Sequence, residues 1–325
     1  MSSPRSRRLL WGSALFFVLA AVAGPFVGQS LDLSDAQDRF ILFELRVPRV
    51  LMGLVCGAGL AAAGVVLQAI LRNPLATPYT LGVSSGAAFG IVACIAFGIE
   101  SFLPPQLGRP LIGMAGGLLV IGLTYRIARV RGHLPAHTLL LAGVTLTYVF
   151  SALILAIQYT SSPHDAHRIL RWLVGSLETA GGDFLPPLLV GLLTGGALLV
   201  LIPLGRAFNA MAGGEEAALA VGVDVPRTVR RAYVTASLMV GGIVAFTGPI
   251  GFVGLLVPHA LRLLGAVDNR ILLPASALAG GGFLALCDGL ASRVFPQSLP
   301  VGVITHLLGG PFFLFLLLRE KSRLY

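Results

Sequence analysis

At 325 residues, 56% hydrophobic and only 11% charged, with a mean hydropathy of +0.88, the chain is too apolar for an ordinary soluble protein. A net charge of +9 would point a soluble protein toward nucleic acid, but here the basic residues gather in short stretches between long apolar runs. At roughly 20 residues per spanning helix the length admits about ten spans, so the expectation is an all-α polytopic membrane protein, 1–325 forming one transmembrane domain.

The first apolar run, Leu10–Val27, follows Arg5, Arg7 and Arg8. Its Ala21-Val22-Ala23 imitates a signal-cleavage site, but the run is long for a signal peptide, and a retained helix is expected. The stretch 28–46 carries Asp32, Asp35, Asp38 and Glu44 against Arg39 and Arg46 and reads as a loop on the opposite side. Arg46 and Arg49 head the second span, Val50–Leu71, which stops at Asn73-Pro74; the third is Leu81–Ile99. Leu111–Ile127 is the fourth, followed by Arg126, Arg129 and Arg131, and Thr138–Tyr159 is the fifth. The mixed stretch 160–184 contains His164, Asp165 and His167, read as solvated loop residues rather than metal ligands. His133 and His137 have helical spacing, but Pro135 between them argues against a ligand face. After the sixth span, Leu185–Leu204, comes the longest basic connection, 205–231. The seventh and eighth spans, Ala232–Phe246 and Phe252–Leu264, are one apolar stretch interrupted by Gly248, Pro249, Gly251 and Gly254. Ile271–Ala291 carries Asp288 and runs into Arg293, and Val301–Leu318 closes the series before Arg319, Lys321 and Arg323. Basic short loops stay cytoplasmic, so both termini are expected inside with an even number of spans.

A helix interrupted at membrane depth exposes backbone groups that lipid cannot satisfy, so such a break lies buried in protein or lines a watery path. Two breaks are visible. Gly57–Pro78 and Ala236–Pro258 each read as a small-residue helix, a Gly/Pro break and a new apolar run, and the topology makes them antiparallel, as in the inverted repeats of transporters. Asn73, Pro74, Ser84 and Ser85, with Thr145 and Thr147 of the fifth span, present small or hydroxyl side chains and are the candidate pathway residues. Glycines at four-residue spacing, such as Gly82, Gly86 and Gly90, read chiefly as close-packing positions. Asp288, the one carboxylate inside a span, reads as a hydrogen-bonded packing residue facing the bundle interior rather than as a proton relay. Cys56, Cys94 and Cys287 sit alone in apolar runs and read as small core residues. The only lysine, Lys321, belongs to no phosphate-binding loop, so ATP-driven work needs a separate subunit.

These blocks together resemble the FecCD/BtuC-type permeases of iron-chelate, haem and cobalamin ABC importers. That family's R-x-P-R, L-Q, N-P-L-A-x-P and L-G-x-S-x-G-A follow one another from Arg46 to Ala87; its G-F-x-G-L-x-x-P-H-x-x-R matches Gly251–Arg262, and its L-P-x-G-x-x-T matches Leu299–Thr305. Its E-A-A-x-x-x-G matches Glu216, Ala217, Ala218 and Gly222, next to Glu215, although the downstream isoleucine is replaced by Ala232. The resemblance implies a type II ABC importer fold and a non-catalytic subunit without cofactor or bound metal. It implies an ATPase-coupling loop at 205–231 seated on two ATPase subunits, a second permease copy or a paralogue, and a periplasmic or surface binding protein. It places that protein's docking on Arg46, Arg49 and Arg293 and an inner gate at the Asn73–Ser85 segment and the start of the fifth span, Leu139–Thr147, and implies the cytoplasmic membrane as the site of action. An iron chelate is the commonest cargo of the family; cobalamin and haem are the alternatives. The competing class, an ion-coupled secondary transporter, would need more intramembrane carboxylates than Asp288 and would leave the Glu216-Ala217-Ala218 loop without a purpose.

Overall fold

The computed structural model describes residues 4–28, 32–102, 104, 107–130, 133–178, 182–293 and 298–321. Helix α1 (Pro4–Ala23) ends in a 3-10 turn, Gly24–Phe26. The stretch 28–46, expected as a loop, folds instead: Asp35 caps α2 (Ala36–Phe40), a π-helical turn Ile41–Arg46 follows, and the chain runs directly into α3 (Val47–Leu71). Next come α4 (Val83–Ala96), α5 (Gly108–Ala128) and α6 (Ala136–Thr160). The region around His164 and His167 is also not a loop but α7 (Pro163–Leu173), with Ser162 accepting a hydrogen bond from the Asp165 N–H as its cap.

Helix α8 (Leu185–Leu201) leads to the short helices α9 (Gly205–Ala212) and α10 (Glu215–Ala220), then α11 (Val225–Thr247), which starts a full two turns before the expected span because Asp224 caps it and its basic first turns continue the helix. The series ends with α12 (Val253–Leu263), α13 (Asn269–Arg293) and α14 (Val301–Lys321). Seven helical stretches among the described residues are long and apolar enough to cross a membrane, and the shorter apolar helices α4, α12 and α14 bring the bundle to the ten expected.

Helix α3 is the centre. Of its most apolar stretch 89% is buried, against 22% for α1 and for α6, so α3 is wrapped by helices while those two lie on the perimeter. Glycines make this possible. A side chain at Gly57 would run into the Gly280 backbone of α13, and one at Gly64 into Gly254 of α12, so the backbones touch directly. Leu60, Val65, Val66 and Leu67 fill the core with Tyr233, Met239 and Val240 of α11 and Leu272 and Leu284 of α13.

Candidate functional site

At one end of the bundle the connection between α8 and α11 folds into two short helices. Gly213 and Gly214 separate them, and Gly214 has φ +109°. Glu215, Glu216 and Ala217 are exposed, whereas Ala218 is fully buried. The helix stops in a glycine-dependent way: the Gly222 N–H donates to Leu219 O at 2.9 Å and the Val223 N–H to Ala218 O at 3.0 Å, with Gly222 at φ +81°. The turn leaves Leu219 55% and Val221 69% exposed beside the two glutamates, an apolar tip with an acidic flank.

This loop is fixed to the bundle by residues that the sequence reading missed. Asn209 of α9 donates to Asp268 Oδ1 at 2.6 Å and accepts from the Asn269 N–H at 2.9 Å, while Arg270 closes on the same carboxylate at 2.6 Å. The Arg270 hydrogen bonds hold Asp268 well below the usual carboxylate range. Gly205 packs directly on the Asn269–Arg270 backbone. A cavity of about 430 Å³ separates the loop from the first turn of α6; Arg72, His133, His137 and Glu215 line it, so the loop lies next to both elements expected to gate the path.

The first helix break is built from left-handed residues. Arg72 takes φ +48° and Gly82 φ +77°, with a 3-10 turn Pro78–Leu81 between them. Asn73 Oδ1 accepts from the Leu75 N–H at 2.9 Å, and Thr77 and Thr80 cap each other reciprocally. The turn leans on α6, where Gly143 meets the Leu81 backbone and Thr147 donates to Gly143 O at 2.8 Å and Tyr79 O at 3.4 Å. The structure therefore brings the Asn73–Ser85 segment and Thr147 together. Pro74 and Thr145 are exposed, Ser85 donates to Gly82 O at 2.8 Å, and Ser84 is buried.

At the opposite end, Arg49 grips Asp288 in a bidentate pair, Nε to Oδ2 at 2.7 Å and Nη2 to Oδ1 at 3.0 Å. Asp288 is 1% exposed, so the carboxylate faces the bundle interior and α3 is latched to α13. Its partner is one of the arginines that heads the second span. Arg293 Nη1 donates to Gly24 O at 2.5 Å and Val27 O at 3.1 Å, and Arg46 Nη1 donates to Pro25 O at 3.1 Å. The three arginines thus converge around one turn, with a single buried carboxylate among them.

The FecCD transport family model matches residues 9–319. The chain belongs to this family. It is 42% identical over 285 residues to the cobalamin import system permease protein BtuC of Halobacterium salinarum, covering 87% of this chain and 74% of the relative. It is 36% identical over 325 residues to the vitamin B12 import system permease protein BtuC of Klebsiella pneumoniae, covering 98% and 96%. A solved metal-chelate type ABC transporter in an inward-facing conformation superposes with a TM-score of 0.83 at 32% identity, covering 96% of this chain and 99% of that one.

In this FecCD permease the family motifs meet through Gln68. Pro258 lies one turn beyond Gly254 in α12 and has no N–H to donate, so the Gly254 carbonyl lacks its helical partner. Gln68 Nε2 supplies the missing donor at 3.1 Å, and Gln68 Oε1 accepts from Arg262 Nη1 at 2.6 Å. One amide of the first motif thereby satisfies the orphan carbonyl of the second break and the half-buried arginine after it. The sequence left Arg262 between a satisfied polar cap and a contact with the ATPase; its bond to Gln68 makes it a satisfied cap.

Proposed function

We propose that this chain is the pore-forming subunit of an ABC importer that carries a cobalamin-type corrinoid across the cytoplasmic membrane, driven by separate ATPase subunits. The observation that carries the cargo reading is the run of relatives named for cobalamin or vitamin B12, at 42% identity over most of the chain in Halobacterium salinarum. The iron chelate remains the alternative, resting on the family's commonest cargo and on the metal-chelate type of the solved neighbour at 32% identity.

The exposed Leu219 of α10 and Val221 just after it, with Glu215, Glu216 and Gly222 around them, support this end as the ATPase seat. The same end collects Arg72, Arg126, Arg129, Arg206, Arg227, Arg230 and Arg231, which supports its placement in the cytoplasm with both termini. Arg46, Arg49 and Arg293 then face the binding protein. Three guanidiniums gathered at this end favour a partner with acidic lobes. Asn73, Pro74, Ser85, Thr145 and Thr147 form the inner half of the path, while Ser84, at 3% exposure, packs behind them. The exposed apolar face of α6, including Leu141, Tyr148 and Leu155, is free to meet a second permease copy or lipid.

Reconstitution with the ATPase and binding protein tests this reading. ATP-dependent uptake of labelled cobalamin, with no uptake of ferric hydroxamate or haem, is the expected result; the reverse selectivity would reassign the cargo.

A further inference from the structure

Neither the coupling loop nor the docking cluster uses a second cavity, of about 430 Å³, at the Asp288 end. Its walls come from α7, the last turn of α4, the first turn of α5 and the end of α11. Arg109, His167, Arg168 and Arg171 line one side, and Trp172, Ile95 and Phe246 supply apolar surface. Exposed His167 and Arg171 leave the cavity open to solvent. Glu178 also lines the cavity, 3.5 Å from Arg171, and is close enough to interact electrostatically with Arg49, so the cavity adjoins the docking cluster.

The arginines are held from behind. Glu100 is not part of the lining, yet it accepts from Arg109 Nε at 2.7 Å through Oε2 and from Arg168 through Oε1. Arg168 Nη1 reaches Asp165 at 3.3 Å, also outside the lining. Burial alone would raise the Glu100 carboxyl, but these two guanidinium partners overcome it and hold it below its ordinary value. A guanidinium has five N–H donors in a fixed fork, so tying some of them to a rear carboxylate orients the remainder. Arg171 is held only weakly, 3.5 Å from Glu178 and 66% exposed. Oriented guanidinium donors beside an indole and aliphatic wall suit an amphipathic ligand carrying one anionic oxygen group.

We propose that this cavity receives the phosphodiester of the corrinoid's nucleotide loop as the cargo leaves the binding protein, with Arg171 and Arg168 as its ligands. The assignment rests on the corrinoid reading. Corrinoid side-chain amides are neutral, which leaves the phosphodiester as the anion for these residues. A cavity of this size takes such an appendage rather than the whole macrocycle.

The test compares uptake of cobalamin and of cobinamide, which lacks the nucleotide loop, by the reconstituted complete importer. Arg171→Gln, at an exposed position, should raise the KM for cobalamin about tenfold, the scale of one lost hydrogen bond to a charged group. Cobinamide uptake should not change, and Arg171→Lys should restore part of the loss. Arg168→Lys should act in the same direction. An equal fall for both corrinoids overturns the proposal in favour of a structural role. Weakened affinity for the empty binding protein overturns it in favour of protein docking. If the wild-type importer carries neither corrinoid, the cargo reading fails and takes the phosphodiester assignment with it.

Discussion

Asp288 and Asp268 stand near opposite ends of α13, and each holds an arginine, in contrasting surroundings. Asp288 is 1% exposed and its bidentate bond to Arg49 reaches across 239 residues of sequence. The Asp268 side chain is 20% exposed, and its arginine, Arg270, is two residues away. A buried pair is costly to break because the surviving charge stays desolvated, whereas an exposed pair is rehydrated at little loss. The Asp288 end is therefore built to be fixed, and the Asp268 end to tether the loop of α9 and α10 by contacts that can give way.

Breaking the buried latch should have the largest effect. Asp288→Ala leaves Arg49 unpaired and should destabilise the protein by about 3–5 kcal/mol, read as a lowered unfolding midpoint in detergent. The double variant Arg49→Met with Asp288→Leu should recover most of it. If the single and double variants lose the same amount, α3 and α13 are held by packing alone.

The glycine seam is next. Gly57→Val would place a side chain on the Gly280 backbone, with Leu284 Cβ only 2.8 Å from the new Cβ, so the helices must separate. Overpacking of this kind costs about 1–3 kcal/mol, and thermal unfolding of the purified protein checks it. Gly195→Ala, with nothing within 4 Å of its Cβ, should be tolerated and serves as the comparison.

Cutting the loop tether should cost less stability and more function. Asn209→Ala removes two hydrogen bonds at the exposed end, about 0.5–1.5 kcal/mol each. The expected signature is faster proteolysis within 205–222 and more ATP hydrolysed per cargo molecule, with the unfolding midpoint nearly unchanged.

The smallest effect is that of pH. Asp268 and Glu100 both have depressed carboxyls, so their contribution is complete above the ordinary values of 3.8 and 4.5 and is lost only as pH falls through the lower folded-state values. Stability should be flat from neutrality to about pH 5 and decline below that. Asp268→Asn and Glu100→Gln together should flatten the acid limb; a decline that begins near pH 6 would point to histidines instead.

The sequence made the regular part of this molecule readable. Runs of apolar residues marked the seven candidate spans and the three shorter apolar helices, and Asn73-Pro74 and Gly248–Gly254 marked both breaks, because proline and glycine act locally. Glu216-Ala217-Ala218 and Gly222 marked α10 for the same reason. What stayed hidden depends on tertiary pairing. Nothing near Arg49 announces Asp288, and nothing near Asn209 announces Asp268. The helix through 36–46 was hidden by its charge, since Asp38, Arg39 and Glu44 read as a loop although α2 and the π turn carry them on a helical surface. Helix α7 was hidden similarly: its polar residues read as solvated loop, while Ile169 on its other side is fully buried.

The most direct test of the whole account lies at α10. Gly222→Val forces a β-branched residue into φ +81° and dismantles the turn that presents Leu219 and Val221, at a position with nothing within 4 Å of its Cβ. The measurement is co-purification of the ATPase subunit with the membrane-inserted variant, alongside Glu216→Arg. The account predicts normal insertion and unfolding with the ATPase lost from both variants; full retention of the ATPase by both would contradict α10 as its seat.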